Sequence, residues 1–246
     1  MNTTGRFFAH GSVLLAPLLY AQGLYTRSKI SRLPEAAGPR SGRVAGGASV
    51  LRLLLLGEST VAGVGAASHD EGLAGQAAGA VSAMTGSTVD WRVHAANGVT
   101  AAGLRASLNE LPPDTRADLI VVGLGANDVF RLQGPVGWER DLQALIDDVR
   151  ERCGFAPVIL CAMPPIGHFP GLPQPLRSVL GLRAKLLDHA TEKLAGRKTS
   201  VHYLPFELEM DPALFSADGI HPSTQCYALW GDAIARLAIE HLPARG

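Results

Sequence analysis

Near the end of the chain a carboxylate and an imidazole stand three residues apart, in Asp218-Gly219-Ile220-His221-Pro222-Ser223. One helical-type turn brings such a pair to the same side. The carboxylate can then accept from one ring nitrogen and leave the other free to take a proton from a hydroxyl. A hydroxyl to match is Ser59, in Leu56-Gly57-Glu58-Ser59-Thr60, where a small residue lets the chain turn sharply after an apolar run and exposes the serine. A third part of acyl transfer is a donor for the oxyanion. Gly123-Leu124-Gly125-Ala126-Asn127-Asp128 offers one, because glycines allow close backbone approach and a side-chain amide can donate to developing negative charge.

Each signal has an ordinary explanation when taken alone. Ser59 or Thr60 can cap a turn, Asn97-Gly98 and Asp218-Gly219 are common turn pairs, and Asn127 can cap the next element. The serine motif is neither G-x-S-x-G nor a P-loop. What separates the readings is the elements that must carry these residues.

Leu51 to Leu56 is an apolar run broken only by Arg52, as in a strand buried on both faces of a parallel sheet. Strand signals recur at Val89–Ala95, Asp118–Leu124, Pro157–Ala162 and Val201–Leu204. Helical patterns alternate with them at Leu73–Met84, Ala101–Leu111, Trp138–Arg152, Leu176–Leu194 and Thr224–Leu242. Five strands alternating with helices predict a parallel α/β sheet with helices on both faces and chemistry beyond the carboxyl ends of the strands. The four motifs fall at three of those strand ends and just before the last helix, in chain order. Coincidence at all four is far rarer than at one.

These motifs also resemble a known family. Gly57-Glu58-Ser59-Thr60, Gly98, Gly125-Ala126-Asn127-Asp128 and Asp218-Gly219-Ile220-His221-Pro222 are similar to the four blocks of the SGNH (GDSL) hydrolases. The spacing and Gly125–Arg131 look most like the bacterial thioesterase I/lysophospholipase/arylesterase branch. The resemblance runs from about Leu51 to Leu242. It implies a flavodoxin-like, three-layer α/β/α sandwich with a five-stranded parallel sheet, no metal and no cofactor. It implies Ser59 as nucleophile, Asp218 and His221 as its partners, and Ser59 and Gly98 N–H groups with the Asn127 side chain as oxyanion donors. Glu58 departs from the family's usual Asp.

Composition narrows the substrate. Hydrophobic residues make up 47% and charged residues 18%, with Lys+Arg and Asp+Glu equal at 22 each, so no bulk charge attracts nucleic acid. Three cysteines without C-x-x-C spacing argue against a disulfide framework or thiolate zinc site, and eight histidines show no H-x-x-x-H or H-E-x-x-H pattern. A small acyl ester is the expected partner, with Ile166 and Phe169 of the apolar loop Met163–Pro173 as candidate walls for its acyl chain. Alternatives are a lysophospholipase or thioesterase, a carbohydrate O-acetylesterase, disfavoured because only 6% of residues are aromatic, and a non-catalytic membrane-tethered binding module.

Three segments are expected: an apolar N-terminal segment (1–32), a Gly/Pro/Ser-rich linker (33–49) and the hydrolase domain (50–246). Arg6 precedes the apolar stretch Val13–Tyr25, and Arg27, Lys29 and Arg32 follow it. That pattern fits an uncleaved helix on the membrane or on the domain, with peripheral membrane contact through residues 7–25 and a cytoplasmic or membrane-associated protein. It also fits a removed signal and a periplasmic or secreted one. The stretch is short of the roughly 20 apolar residues a bilayer span requires.

Overall fold

The computed structural model describes residues 16–26, 28, 33–205 and 211–242. Six strands form one sheet: β1 (Ser41–Val44), β2 (Gly47–Gly57), β3 (Ser87–Ala95), β4 (Leu119–Gly123), β5 (Val158–Cys161) and β6 (Val201–Leu204). Their spatial order is β1-β3-β2-β4-β5-β6. All neighbours pair in parallel except β1, which runs antiparallel to β3. The helices are α1 (16–26), α2 (Leu73–Thr85), α3 (Ala101–Ala106), α4 (Ala126–Phe130), α5 (Pro135–Cys153), α6 (Leu176–Ala195) and α7 (Thr224–His241).

The period-2 alternation of side chains divides the core. Leu54, Leu56, Ile120, Val122, Val158 and Leu160 face α3, α5 and α6, where Leu104, Leu142, Ile146 and Leu187 close over them. Leu53, Leu55, Val121 and Ile159 face α2 and α7, against Leu73, Val81, Tyr227 and Ile234. Strands buried on both faces need apolar residues at every position, which is why the central ones read as unbroken runs. The result is the expected three-layer α/β/α sandwich.

The sheet has six strands where five were expected. The extra one, β1, lies within residues 33–49, the stretch that reads as a linker. Four residues carrying Gly42 and Arg43 give no apolar alternation, as is usual for a short edge strand. Its strength comes from partners far along the chain: the ladder to β3 and a two-pronged pair from Arg43 to Asp90 at 2.5 and 2.7 Å.

Order β3-β2-β4-β5-β6 is the doubly wound arrangement in which the chain leaves β2 for one edge and then crosses to the other. The gap between the carboxyl ends of β2 and β4 is therefore the topological switch point, where loops diverge and leave room for a ligand. Ser59 follows β2 and Asn127 follows β4.

Of the apolar N-terminal segment, residues 7–15 lie outside the described residues. The described part, α1, rests on the domain: Gln22 Nε2 donates to Gln174 O at 2.6 Å, and Leu176 N donates back to Gln22 Oε1 at 3.1 Å. Among the described residues no helix is long and apolar enough to cross a membrane.

Candidate active site

Ser59 begins the turn that leaves β2, and His221 lies in the turn preceding α7, 162 residues later. The structure joins them: His221 Nε2 lies 2.9 Å from Ser59 Oγ. On the other side of the ring, His221 Nδ1 is 2.6 Å from Asp218 Oδ2. The second carboxylate oxygen of Asp218 accepts the N–H groups of Ile220 at 2.9 Å and His221 at 3.0 Å. Burial works to raise the Asp218 pKa, but the donors from the His221 ring and from the two backbone groups together hold it below the ordinary value. An ionised Asp218 can only accept, so Nδ1 carries the ring proton. Nε2 is then the acceptor facing the serine hydroxyl. The Asp218 side chain is fully buried and that of His221 is 18% exposed, so the line is shielded at its carboxylate end and reaches solvent at the imidazole.

Two braces hold the serine turn against the histidine turn. Tyr227 of α7, fully buried, donates its hydroxyl to Val64 O at 2.6 Å, while Val64 N donates to Ser59 O at 3.0 Å. Gly65 sits at φ +99, and a Cβ there would lie 2.2 Å from Ser216 Oγ and 2.4 Å from Pro222 O. That close approach needs glycine.

The expected oxyanion donors fare differently. The N–H groups of Ser59 and Gly98 have no acceptor within the protein among the described residues, so both can serve a ligand. Gly98 takes φ +81 in the turn after β3, where a Cβ would meet no atom within 4 Å, so conformation rather than space calls for glycine. Asn127 does not present a free amide hydrogen. Its Nδ2 donates to the Glu58 carboxylate and to Val99 O, the latter at 3.1 Å. Asn127 therefore stands at the site but is tied inward.

Glu58 explains that tie. Only 2% exposed, it accepts Ala126 N–H at 2.8 Å and Asn127 N–H at 3.0 Å in addition to the Asn127 amide. Its longer side chain stitches the serine turn to the start of α4. Burial pushes its pKa up to about 7 despite these three donors. The neighbouring Asp128 is likewise raised by burial, to about 6, and accepts Ala101 N–H at the start of α3.

Ile166 and Phe169, expected as acyl walls, lie in the hydrophobic core. Ile166 is fully buried and Phe169 is 4% exposed, its ring edge-on to Phe215 at 5.9 Å between centroids. The apolar loop is spent on packing under α6. The half-buried side chains adjoining the site in sequence are instead Val99, next to Gly98, and Ile220, next to His221.

Sequence reasoning missed Glu35 and Arg40, both within the stretch read as a linker. Glu35 Oε1 accepts Asn97 N–H at 2.7 Å, its other oxygen pairs with Arg40, and Arg40 donates to Ala95 O. Together they clamp the turn that carries Gly98. Nothing local marks them, because their partners on that turn lie more than fifty residues away. A surface cleft lined by Arg43, Arg52, Arg92 and Arg116 lies at the opposite, amino edge of the strands, remote from the serine. Among the described residues no cluster of His, Cys, Asp and Glu is arranged to hold a metal ion. The thiols of Cys161 and Cys226 are buried, and burial raises them to about 12 and about 11.

A serine, histidine and aspartate in hydrogen-bonded line, at the switch point of a doubly wound sheet, invite comparison with known proteins. A family profile described as GDSL-like lipase/acylhydrolase matches residues 55–229. The chain belongs to this family. A GDSL-like esterase of Mycobacterium tuberculosis is 31% identical over 260 residues, covering 95% of this chain and 80% of that protein. Among solved structures, TesA superposes with a TM-score of 0.63 at 22% identity, over 78% of this chain and 99% of its own. The inhibitor-bound aryl esterase of M. smegmatis gives 0.62 at 18%, over 78% and 100%. These two establish the fold. The protein is thus an ester-cleaving hydrolase of the GDSL family, acting on small acyl ester substrates.

Proposed function

We propose that this GDSL hydrolase is a serine esterase of short- to medium-chain acyl esters, working through an acyl-enzyme. The observation that carries the reading is the unbroken line from Asp218 Oδ2 through His221 to Ser59 Oγ. His221 Nε2 takes the hydroxyl proton as Oγ forms a bond to the ester carbonyl carbon, and the carbonyl π pair moves onto oxygen. Asp218 steadies the imidazolium. As the carbonyl reforms, the C–O bond to the alcohol breaks and His221 returns its proton to the leaving oxygen. Water then repeats the attack on the acyl-enzyme with the same proton path, releasing the acid and Ser59.

The Ser59 and Gly98 N–H groups serve the oxyanion directly. Asn127 joins them by turning one Nδ2–H from Val99 O to the developing charge, while its bond to Glu58 holds the side chain in place. Catalytic hydrogen bonds of this kind commonly tighten only when substrate is bound. Val99 and Ile220 are the side chains best placed to touch the acyl group. The shortage of aromatic residues weighs against a sugar platform, although the fold is shared with an acetyl xylan esterase of Geobacillus stearothermophilus, TM-score 0.56 at 17% identity.

A fluorophosphonate probe tests the assignment. Labelling on Ser59, lost together with chromogenic ester hydrolysis in a folded Ser59→Ala variant, is the expected result. A folded Ser59→Ala variant that still turns over ester would sink it. An acetate-to-decanoate series then reads chain preference, which should shift with Val99→Ala.

A further inference from the structure

α1 is held by Gln22 at Gln174 and Leu176, and Leu19 packs onto the core. The face turned away from the domain carries Leu18, Tyr20, Leu24 and Tyr25, exposed at 46%, 70%, 52% and 59%. An ordinary surface helix shows the reverse pattern, with its apolar stripe inward and charge outward. Residues 16–26 include no charged side chain at all.

Its position matters as much as its composition. In a parallel sheet every loop after a strand begins at the carboxyl edge. Ser59 follows β2 there. Asn127 and then the turn with Phe130, Leu132 and Val136, exposed at 39%, 63% and 85%, follow β4. The loop after β5 ends at Gln174, where α1 is docked. Half of the fourteen large apolar side chains exposed among the described residues, the four of α1 with Phe130, Leu132 and Val136, thus belong to segments at the edge that holds the candidate active site.

Charge identifies the occupant. Up to Pro34 the sequence holds Arg6, Arg27, Lys29 and Arg32 and no acidic residue, in a chain whose Lys+Arg and Asp+Glu are equal overall at 22 each. A protein partner could match an apolar face. Apolar side chains with interfacial tyrosines, flanked by cations without acids, match the boundary of an anionic bilayer.

We propose that this rim docks on an anionic lipid surface, with the outward face of α1 at headgroup level, and that the enzyme takes acyl esters carried in that surface. The second half rests on the serine esterase reading; the docking does not.

The test uses the full chain with Ser59→Ala, which leaves lipid intact, sedimented with vesicles of phosphatidylcholine alone or mixed with phosphatidylglycerol. Partitioning should be roughly tenfold stronger on the anionic vesicles and should weaken with salt. Adding Tyr20→Ser and Leu24→Ser, both at exposed positions, should lower it at least about fivefold. In the Ser59 protein the same pair should slow hydrolysis of a vesicle-borne ester and leave a soluble short-chain ester unaffected. No partitioning, partitioning indifferent to the pair, or a pair that instead dissociates a dimer in solution would each overturn the docking. Loss of soluble-ester activity in the unsubstituted protein would overturn the esterase reading alone, since the sedimentation arm does not depend on it.

Discussion

Glu35 Oε1 accepts the backbone N–H of Asn97 at 2.7 Å, so a residue well before the first buried leucine of β2 fixes the turn that presents Gly98. The contact reaches the oxyanion side of the site without touching substrate. Its consequence is kinetic. Glu35→Ala should reduce kcat on a short-chain ester by roughly tenfold, the value of about 1–2 kcal/mol for one such hydrogen bond, with KM little changed. Glu35→Gln keeps an amide oxygen for Asn97 and should recover most of the loss. Steady-state kinetics on both variants checks the split.

Asp218 accepts on both oxygens, which makes the aspartate-to-asparagine change informative. In Asp218→Asn one side of the group must become a donor. If Nδ2 faces His221, the ring is driven to the tautomer with its proton on Nε2, which cannot accept from Ser59. Loss of roughly 10³- to 10⁴-fold in kcat is expected with fold retained. Circular dichroism and fluorophosphonate labelling rate together test it.

Tyr227 ties α7 to the serine turn through Val64 O. Tyr227→Phe leaves that buried carbonyl without a partner and should destabilise the protein by about 1–3 kcal/mol. The serine turn loses its brace at the same time, so labelling of Ser59 should slow. Chemical denaturation and probe kinetics on one preparation read both.

Glu58 gives a pH signature whose sign can be worked out. Its folded pKa, about 7, lies above the ordinary carboxyl value of 4.5, so between these two the folded state holds more of the proton than the unfolded state does. Stability from this group is therefore fully present below pH 4.5 and declines as pH rises towards 7. Glu58→Gln removes the titration. The difference in unfolding free energy between the parent and this variant should fall with rising pH across that window and level off above it. A difference that is flat, or that rises, would refute the assignment. Because Glu58 must be ionised to accept all three N–H groups, protonation should also loosen Asn127 and contribute to an acid limb in kcat.

Gly65 offers the sharpest steric test. Gly65→Ala places a methyl 2.2 Å from Ser216 Oγ at a φ of +99, so the serine and histidine turns must part. Loss of most ester hydrolysis is expected, even in molecules that remain folded by circular dichroism.

The pattern of these residues shows what a linear chain can disclose. The runs Leu53–Leu56, Leu119–Val122 and Val158–Leu160 declare themselves because a strand buried on both faces requires apolar side chains at successive positions. Asp218 and His221 are legible as a pair because their contact spans three residues, and the glycine and serine motifs because strand ends have a characteristic grammar. β1, Glu35 and Arg40 are invisible for the opposite reason. Their stability and their role come from Asp90, Asn97 and Ala95, and no local propensity records a partner more than forty residues away. For Ile166 and Phe169 apolar character is the same whether it faces a ligand or a core, and their burial, with Phe215 edge-on to Phe169, is visible only in the folded chain. The linear chain thus carries the order of strands and helices and the identity of the reactive groups, since both depend on side-chain chemistry and short periodicities. It does not carry the meeting of a hydroxyl and an imidazole 162 residues apart at 2.9 Å. Nor does it carry the tie that holds Asn127 inward on Glu58. Both follow from folding, because the closure of long loops is set by the packing of the whole sheet and not by any segment of it.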